Sequence, residues 1–131
     1  MAIGGVGVFK MDIDKVKKVM VAFAEGFFSM DQGIQFCEEF TRAANECSID
    51  GDYVLIVDAK GVKPSTPEVT KALNDALALY ASDNFKFKKR FMVKLDSVIT
   101  QSQVSRLAKN IPGFNDKITF VSSKEEALAQ V

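Results

Sequence analysis

The residues best placed to do chemistry gather in one stretch of the chain. Asp58 follows the apolar run Tyr53-Val54-Leu55-Ile56-Val57, and Ser65, Thr66 and Glu68 come soon after it. A carboxylate at the carboxyl end of a central strand stands where open α/β sheets bind ligands, so Asp58 could orient a phosphorylated or polar ligand. The neighbouring Gly61 favours a plainer role, in which the carboxylate accepts backbone N–H bonds from a tight turn. Ser65 and Thr66 suit a helix N-cap, where either hydroxyl contributes about 1 kcal/mol. A helix N-terminus also favours an added phosphate, which makes both residues candidate regulatory phosphosites. Glu68 completes a capping box as Ser65-x-x-Glu68 and would hold a negative charge at the same place. An enzyme would need a carboxylate pair such as Asp58 with Glu68, and nothing in the sequence makes the two converge.

The composition narrows the chemistry further. The 131 residues include no histidine, which removes the usual neutral-pH base, the imidazole metal ligand and any Ser-His or Cys-His pair. Cys37 and Cys47 lie about 15 Å apart along one expected helix, beyond disulfide reach. They read as buried core thiols, because a redox or metal pair would need a CxxC or a histidine. Lysine plus arginine and aspartate plus glutamate number 17 each, which argues against a nucleic-acid binder. Lys86-Phe87-Lys88-Lys89-Arg90 is the one basic cluster, and it reads as the solvated entry to a strand.

No apolar run approaches the roughly 18 residues that would span a bilayer. The opening Met1 to Lys10 has neither the basic region nor the apolar run of a signal peptide, so a cytoplasmic protein is expected. Gly4-Gly5-Val6-Gly7 lacks the Gly-Lys-Ser/Thr closure of a phosphate loop and reads as part of a flexible start over residues 1–5. The length suits one domain, 1–131, able to bury roughly two-thirds of the surface its unfolded chain exposes.

The order of elements follows from apolar periodicity. Val6 to Met11 and Val16 to Phe23 read as a hairpin turning at Asp12-Ile13-Asp14. Ser29-x-x-Gln32 opens a helix whose Phe36, Cys37, Phe40, Ala43, Ala44 and Cys47 form one apolar stripe. Tyr53 to Val57, stopped by Asp58, has the unbroken apolar character of a central parallel strand. A loop from Ala59 to Pro64 then leads to a helix carrying Val69, Ala72, Leu73, Ala76, Leu77 and Tyr80. Phe91 to Leu95 is the next strand, and a helix with Val104, Leu107, Ala108 and Ile111 stops at Pro112-Gly113. Ile118 to Val121 is the last strand, and Ser122-x-x-Glu125 opens a final helix with Leu128 and Val131 inward. The fold class is therefore α/β, one mixed, mostly parallel sheet in the order ββαβαβαβα.

Two further residues border the same region. Val98 and Ile99 precede Thr100-x-x-Gln103, which has capping-box spacing, so Ile99 could staple onto Val104. With Val62 and Pro64 they could instead form an apolar patch on the carboxyl-end rim of the sheet, suited to a protein partner or a second copy. Eleven phenylalanines could line an apolar ligand cavity, although Phe36 and Phe40 on a core stripe and Phe23, Phe91 and Phe120 in strands account for most of them as core.

With Gly26, Ser29 and the following helix, and with Asp58-Ala59-Lys60-Gly61-Val62 ending the central strand, the chain resembles the STAS domains. That group includes bacterial anti-sigma-factor antagonists and the cytoplasmic tails of sulfate transporters. The resemblance covers about Val16 to Val131. It implies a STAS-like fold, a partner-binding role and, in the antagonists, a phosphorylated serine in an Asp-Ser-Ser/Thr-Gly segment. Here that segment is Ser65-Thr66-Pro67-Glu68, and the serine position falls on Pro67 or Glu68, so the phosphoserine motif is not intact.

The combined expectation is a non-enzymatic regulatory or scaffolding module that binds a protein through Asp58, Val62, Lys63, Pro64, Glu68, Val98 and Ile99. Ser65 and Thr66 are its candidate phosphorylation sites, and neither a metal nor a cofactor is called for. A homodimer is compatible with this reading, since two-fold dimers are common. The alternative is a carrier or sensor of a small apolar, lipid-like ligand held between the sheet and the helices.

Overall fold

The computed structural model describes residues 7–63 and 67–131, leaving aside the side chains of residues 67–70, 72 and 73. Strands β1 (Val8–Asp14) and β2 (Val19–Gly26) form the expected antiparallel hairpin, with its turn three residues later than expected. Asp12 and Ile13 do not turn because they continue the alternation that points Phe9, Met11 and Ile13 toward the core. The turn comes where Asp14 can build it, its Oδ1 accepting the amides of Val16 at 3.0 Å and Lys17 at 2.9 Å. Lys18 closes it with a left-handed φ of 57°. Val16, expected in a strand, is 92% exposed. Val6, the expected strand start, lies outside the described residues.

Helix α1 (Met30–Cys47) starts where its capping box dictates. The Ser29 hydroxyl accepts the Gln32 amide and the Gln32 side chain accepts the Ser29 amide, each at 3.1 Å. The Gln32 Nε2 also donates to the Gly7 carbonyl, fastening the helix start to the approach of β1. Phe36, Phe40, Ala43, Ala44 and Cys47 are buried along one stripe, Cys37 is half-buried beside it, and Arg42 pairs with Glu39 on the outside.

Strand β3 (Val54–Val62), helix α2 (Pro67–Tyr80), strand β4 (Lys89–Val93), helix α3 (Val98–Lys109), a short α4 (Phe114–Lys117), strand β5 (Ile118–Val121) and helix α5 (Lys124–Leu128) complete the chain. The sheet order is β1-β2-β3-β4-β5, with every pair parallel except the opening hairpin. This is the expected mixed, mostly parallel α/β sheet, with α4 added. Helix α4 was not expected. It begins at Gly113, whose left-handed φ of 75° redirects the chain so that Phe114 is buried.

Both faces of the central strand are covered, which explains its unbroken apolar sequence. Leu55 and Val57 meet the larger core with Met20, Met92, Phe40, Leu77, Tyr80 and Val104. Val54 and Ile56 meet a smaller one with Val19, Phe91, Val93, Val121 and Ala127. Phe9, Phe36, Phe40 and Tyr80 form a chain of ring contacts 5.0–5.6 Å apart at its ends, and Phe85 joins at Phe40. Core filling therefore takes up most of the phenylalanines, as expected.

Two other boundaries shift. Strand β4 begins two residues early because Lys89 to Met92 pair in register with Val54 to Val57. The final helix is capped by Ser123, whose hydroxyl accepts the Glu126 amide at 3.0 Å, instead of by Ser122. A one-residue shift of a helix start turns its faces by about 100°. Ala127 therefore points inward, whereas Leu128 and Val131, expected inside, are exposed.

Candidate functional site

The site predicted after the central strand is built by a strand longer than expected. Asp58 does not end β3, which continues through Lys60, Gly61 and Val62. Turn-forming residues are held extended here because β2 keeps pairing beside them, Glu25 opposite Gly61 and Gly26 opposite Val62, after an irregularity in register past Phe23 and Asp58. The tight turn at Gly61 that Asp58 was expected to brace does not exist. Asp58 is half-buried within the strand, opposite Phe23, and its Oδ1 is 3.5 Å from the Lys60 amide, a long and weak contact.

The rim lies farther along. The Lys63 amide donates to the Gly26 carbonyl at 3.1 Å, and Asp96 donates its amide to the Lys60 carbonyl at 2.9 Å. These two bonds bring the end of β2, the end of β3 and the loop between β4 and α3 together. Val62 is half-buried against the larger core, and Lys63 is exposed. Pro64, Ser65 and Thr66 lie outside the described residues, so the expected caps and phosphosites fall there. Glu68 is in the first turn of α2, and its side chain is likewise outside the description.

Helix α3 does not start as the Thr100-x-x-Gln103 spacing predicts. Ser97 is the N-cap, its hydroxyl accepting the Thr100 amide at 3.3 Å. Gln101 reinforces the approach by accepting the Leu95 amide at 3.0 Å. Thr100 is thereby turned into the interior, 1% exposed, while Val98 and Ile99 occupy the first turn at 80% and 64% exposure. With Ser97 as the cap, Ile99 is the second helical residue and not the one before the cap, so the expected staple on Val104 does not form. Val98 and Ile99 form an outward apolar pair shortly after the Asp96–Lys60 contact.

Other sequence candidates resolve into structure. The Arg90 guanidinium donates to the carbonyls of Phe85 at 2.6 Å and Ser82 at 3.2 Å and lies 5.6 Å from the Phe87 ring centre. Burial lowers its pKa. The basic cluster thus anchors the entry to β4. Neither cysteine is in a disulfide. Burial pushes the Cys47 thiol up to about 11 and also raises Cys37, which has Asp75 nearby as a second cause. Among the described residues no cluster of cysteine, aspartate and glutamate could hold a metal ion, and no helix is long and apolar enough to cross a membrane.

One feature escaped sequence reading. Met30, Ile34, Cys37 and Thr41 line an open groove of about 650 Å³ on the outer side of α1, bordered by Arg42 and Asp75. Their spacing of three and four residues marks a second helical stripe, hidden in the sequence beside the more apolar core stripe.

No protein-family model matches the chain, and no curated protein matches it in sequence. Among solved structures, it is similar to an uncharacterized protein of the DUF3478 family with a SpoIIAA-like fold from Shewanella loihica PV-4. The TM-score is 0.59 at 15% identity, covering 99% of this chain and 96% of the other. The SpoIIAA-like fold is the STAS type that the strand-Gly-helix opening and the element order resemble, and the likeness establishes the fold alone.

Proposed function

We propose that the chain is a cytoplasmic, non-enzymatic regulatory or scaffolding module that binds a protein partner through the rim at the end of β3. The observation that carries this reading is the outward pair Val98 and Ile99, two large aliphatic side chains 80% and 64% exposed on the first turn of α3. Adjacent exposed apolar groups at a polar rim are a usual mark of a protein contact. The Asp96–Lys60 bond ties the loop before this turn to β3, and in this reading Val62 and Lys63 extend the same surface. Pro64 and Glu68 extend it in this reading, and phosphorylation of Ser65 or Thr66 would change its charge. Asp58 enters only through its contact with the Lys60 amide. The STAS-type fold supports a binding module, and the histidine-free composition supports binding over turnover.

The test is affinity purification from the source cell with the wild-type chain and with a Val98→Asp/Ile99→Asp variant. A specific partner whose recovery falls with the variant is the expected result. Equal recovery by both chains, or no specific partner, contradicts the proposal. Native mass spectrometry of the purified protein separates the carrier alternative, which requires a bound mass of lipid size.

A further inference from the structure

The outer edge of β1 lies on the opposite side of the sheet from β4 and β5 and, among the described residues, is a seven-residue edge strand. Such an edge presents unpaired backbone donors and acceptors and is a template for another strand. Phe9, Met11 and Ile13 alternate along it toward the core, and Val8, Lys10, Asp12 and Asp14 point the other way, exposed.

We propose that this edge pairs antiparallel with β1 of a second copy, about a two-fold axis at Met11, joining two sheets into one of ten strands. Charge and register favour this pairing. A two-fold axis normal to the sheet keeps each residue on its own face, so opposed residues must have positions of the same parity. Centring on Lys10 would use only the first five residues and place Lys10 against Lys10; centring on Asp12 would use only the last five, and its two Lys10–Asp14 contacts would flank Asp12 against Asp12. Centring on Met11 uses all seven residues and sets Lys10 against Asp12 of the second copy twice. Phe9 then meets Ile13, and Met11 meets Met11, on the half-buried face. Opposite charges directly across an antiparallel ladder are favourable and like charges unfavourable. Scattered charges also guard an edge against pairing, but a guard has no need to be complementary to its own reversed copy.

The experiment is sedimentation velocity on the full chain over about 1 to 100 μM. A concentration-dependent dimer is expected for the wild type. Lys10→Asp alone, or Asp12→Lys alone, converts both opposite-charge contacts into like-charge ones and should weaken the dimer about tenfold or more. The Lys10→Asp/Asp12→Lys double variant restores complementarity with itself, and mixing the two single variants restores it between them. Dimerisation of the double variant and of the mixture, with circular dichroism confirming folded chains, is the expected outcome. A wild type monomeric throughout the range overturns the proposal, as do single variants that dimerise like the wild type or a mixture that stays monomeric.

Discussion

Asp96 and Lys60 are joined by a 2.9 Å backbone hydrogen bond that crosses from the loop before α3 to the end of β3. This contact sets where the first turn of α3 faces. With the loop fixed at Asp96 and the helix capped at Ser97, the next two side chains point to solvent and the third points inward.

The consequence for stability is opposite for neighbouring residues. A Val98→Ser/Ile99→Ser variant should unfold in urea within about 0.5 kcal/mol of the wild type, since exposed side chains contribute little. Thr100→Val should raise stability by about 1 kcal/mol, because its buried hydroxyl oxygen has no hydrogen-bond partner among the described residues and valine keeps its shape. A large loss in the first variant would mean that Val98 or Ile99 is packed.

Gly61 provides a test of the extended β3. A Cβ built there would lie 3.0 Å from the Glu25 Cβ, in a strand already held on both sides by β1 and β3. Gly61→Ala should therefore cost about 1 kcal/mol and Gly61→Val more, measured as the shift in urea midpoint. If Gly61 were instead in a loose loop, alanine would be neutral or stabilising.

The thiols should be slow to react. With Cys47 pushed up to about 11 by burial, only a small fraction is thiolate near pH 8. Alkylation of native protein followed by peptide mapping should show Cys47 modified far more slowly than in denaturant, with a rate that keeps rising through pH 10. Rapid native labelling of Cys47 at neutral pH would contradict its placement.

Two surface pairs should contribute to acid sensitivity. Hydrogen bonding to Lys18 lowers the Asp52 pKa, and hydrogen bonding to Lys117 lowers that of Asp83. A carboxyl whose folded pKa lies below its unfolded value contributes stability that is present above the unfolded value and lost as pH falls through the folded one. Stability should therefore decline as pH drops below the ordinary aspartate value of 3.8. An Asp52→Asn/Asp83→Asn variant should show a shallower decline in urea melts across that range, and an unchanged slope would remove these pairs as the cause.

Much of the fold was legible because local chemistry and tertiary packing agree. The Ser29–Gln32 box, the Phe36 to Cys47 stripe and the Tyr53 to Val57 run each carry their own periodicity or cap. The errors fall where tertiary pairing overrides a local signal. Asp58 and Gly61 are turn formers held extended by β2, and Asp12 continues a strand because Asp14 makes the better turn. Thr100-x-x-Gln103 has the capping-box spacing and Ser97 has no glutamate or glutamine three residues on, yet Ser97 caps α3, next to the Asp96–Lys60 contact. That choice also decides whether Val98 and Ile99 are staple or surface. The outward pair was thus legible in its residues and not in its orientation.

The most direct test of rim binding is site-specific photo-crosslinking in the source cell, with the probe at Val98 and, as a control, at Glu38 on the exposed side of α1. One discrete protein adduct is expected from position 98 and none of the same mass from position 38. Absence of an adduct at position 98, or identical adducts at both positions, would contradict rim binding.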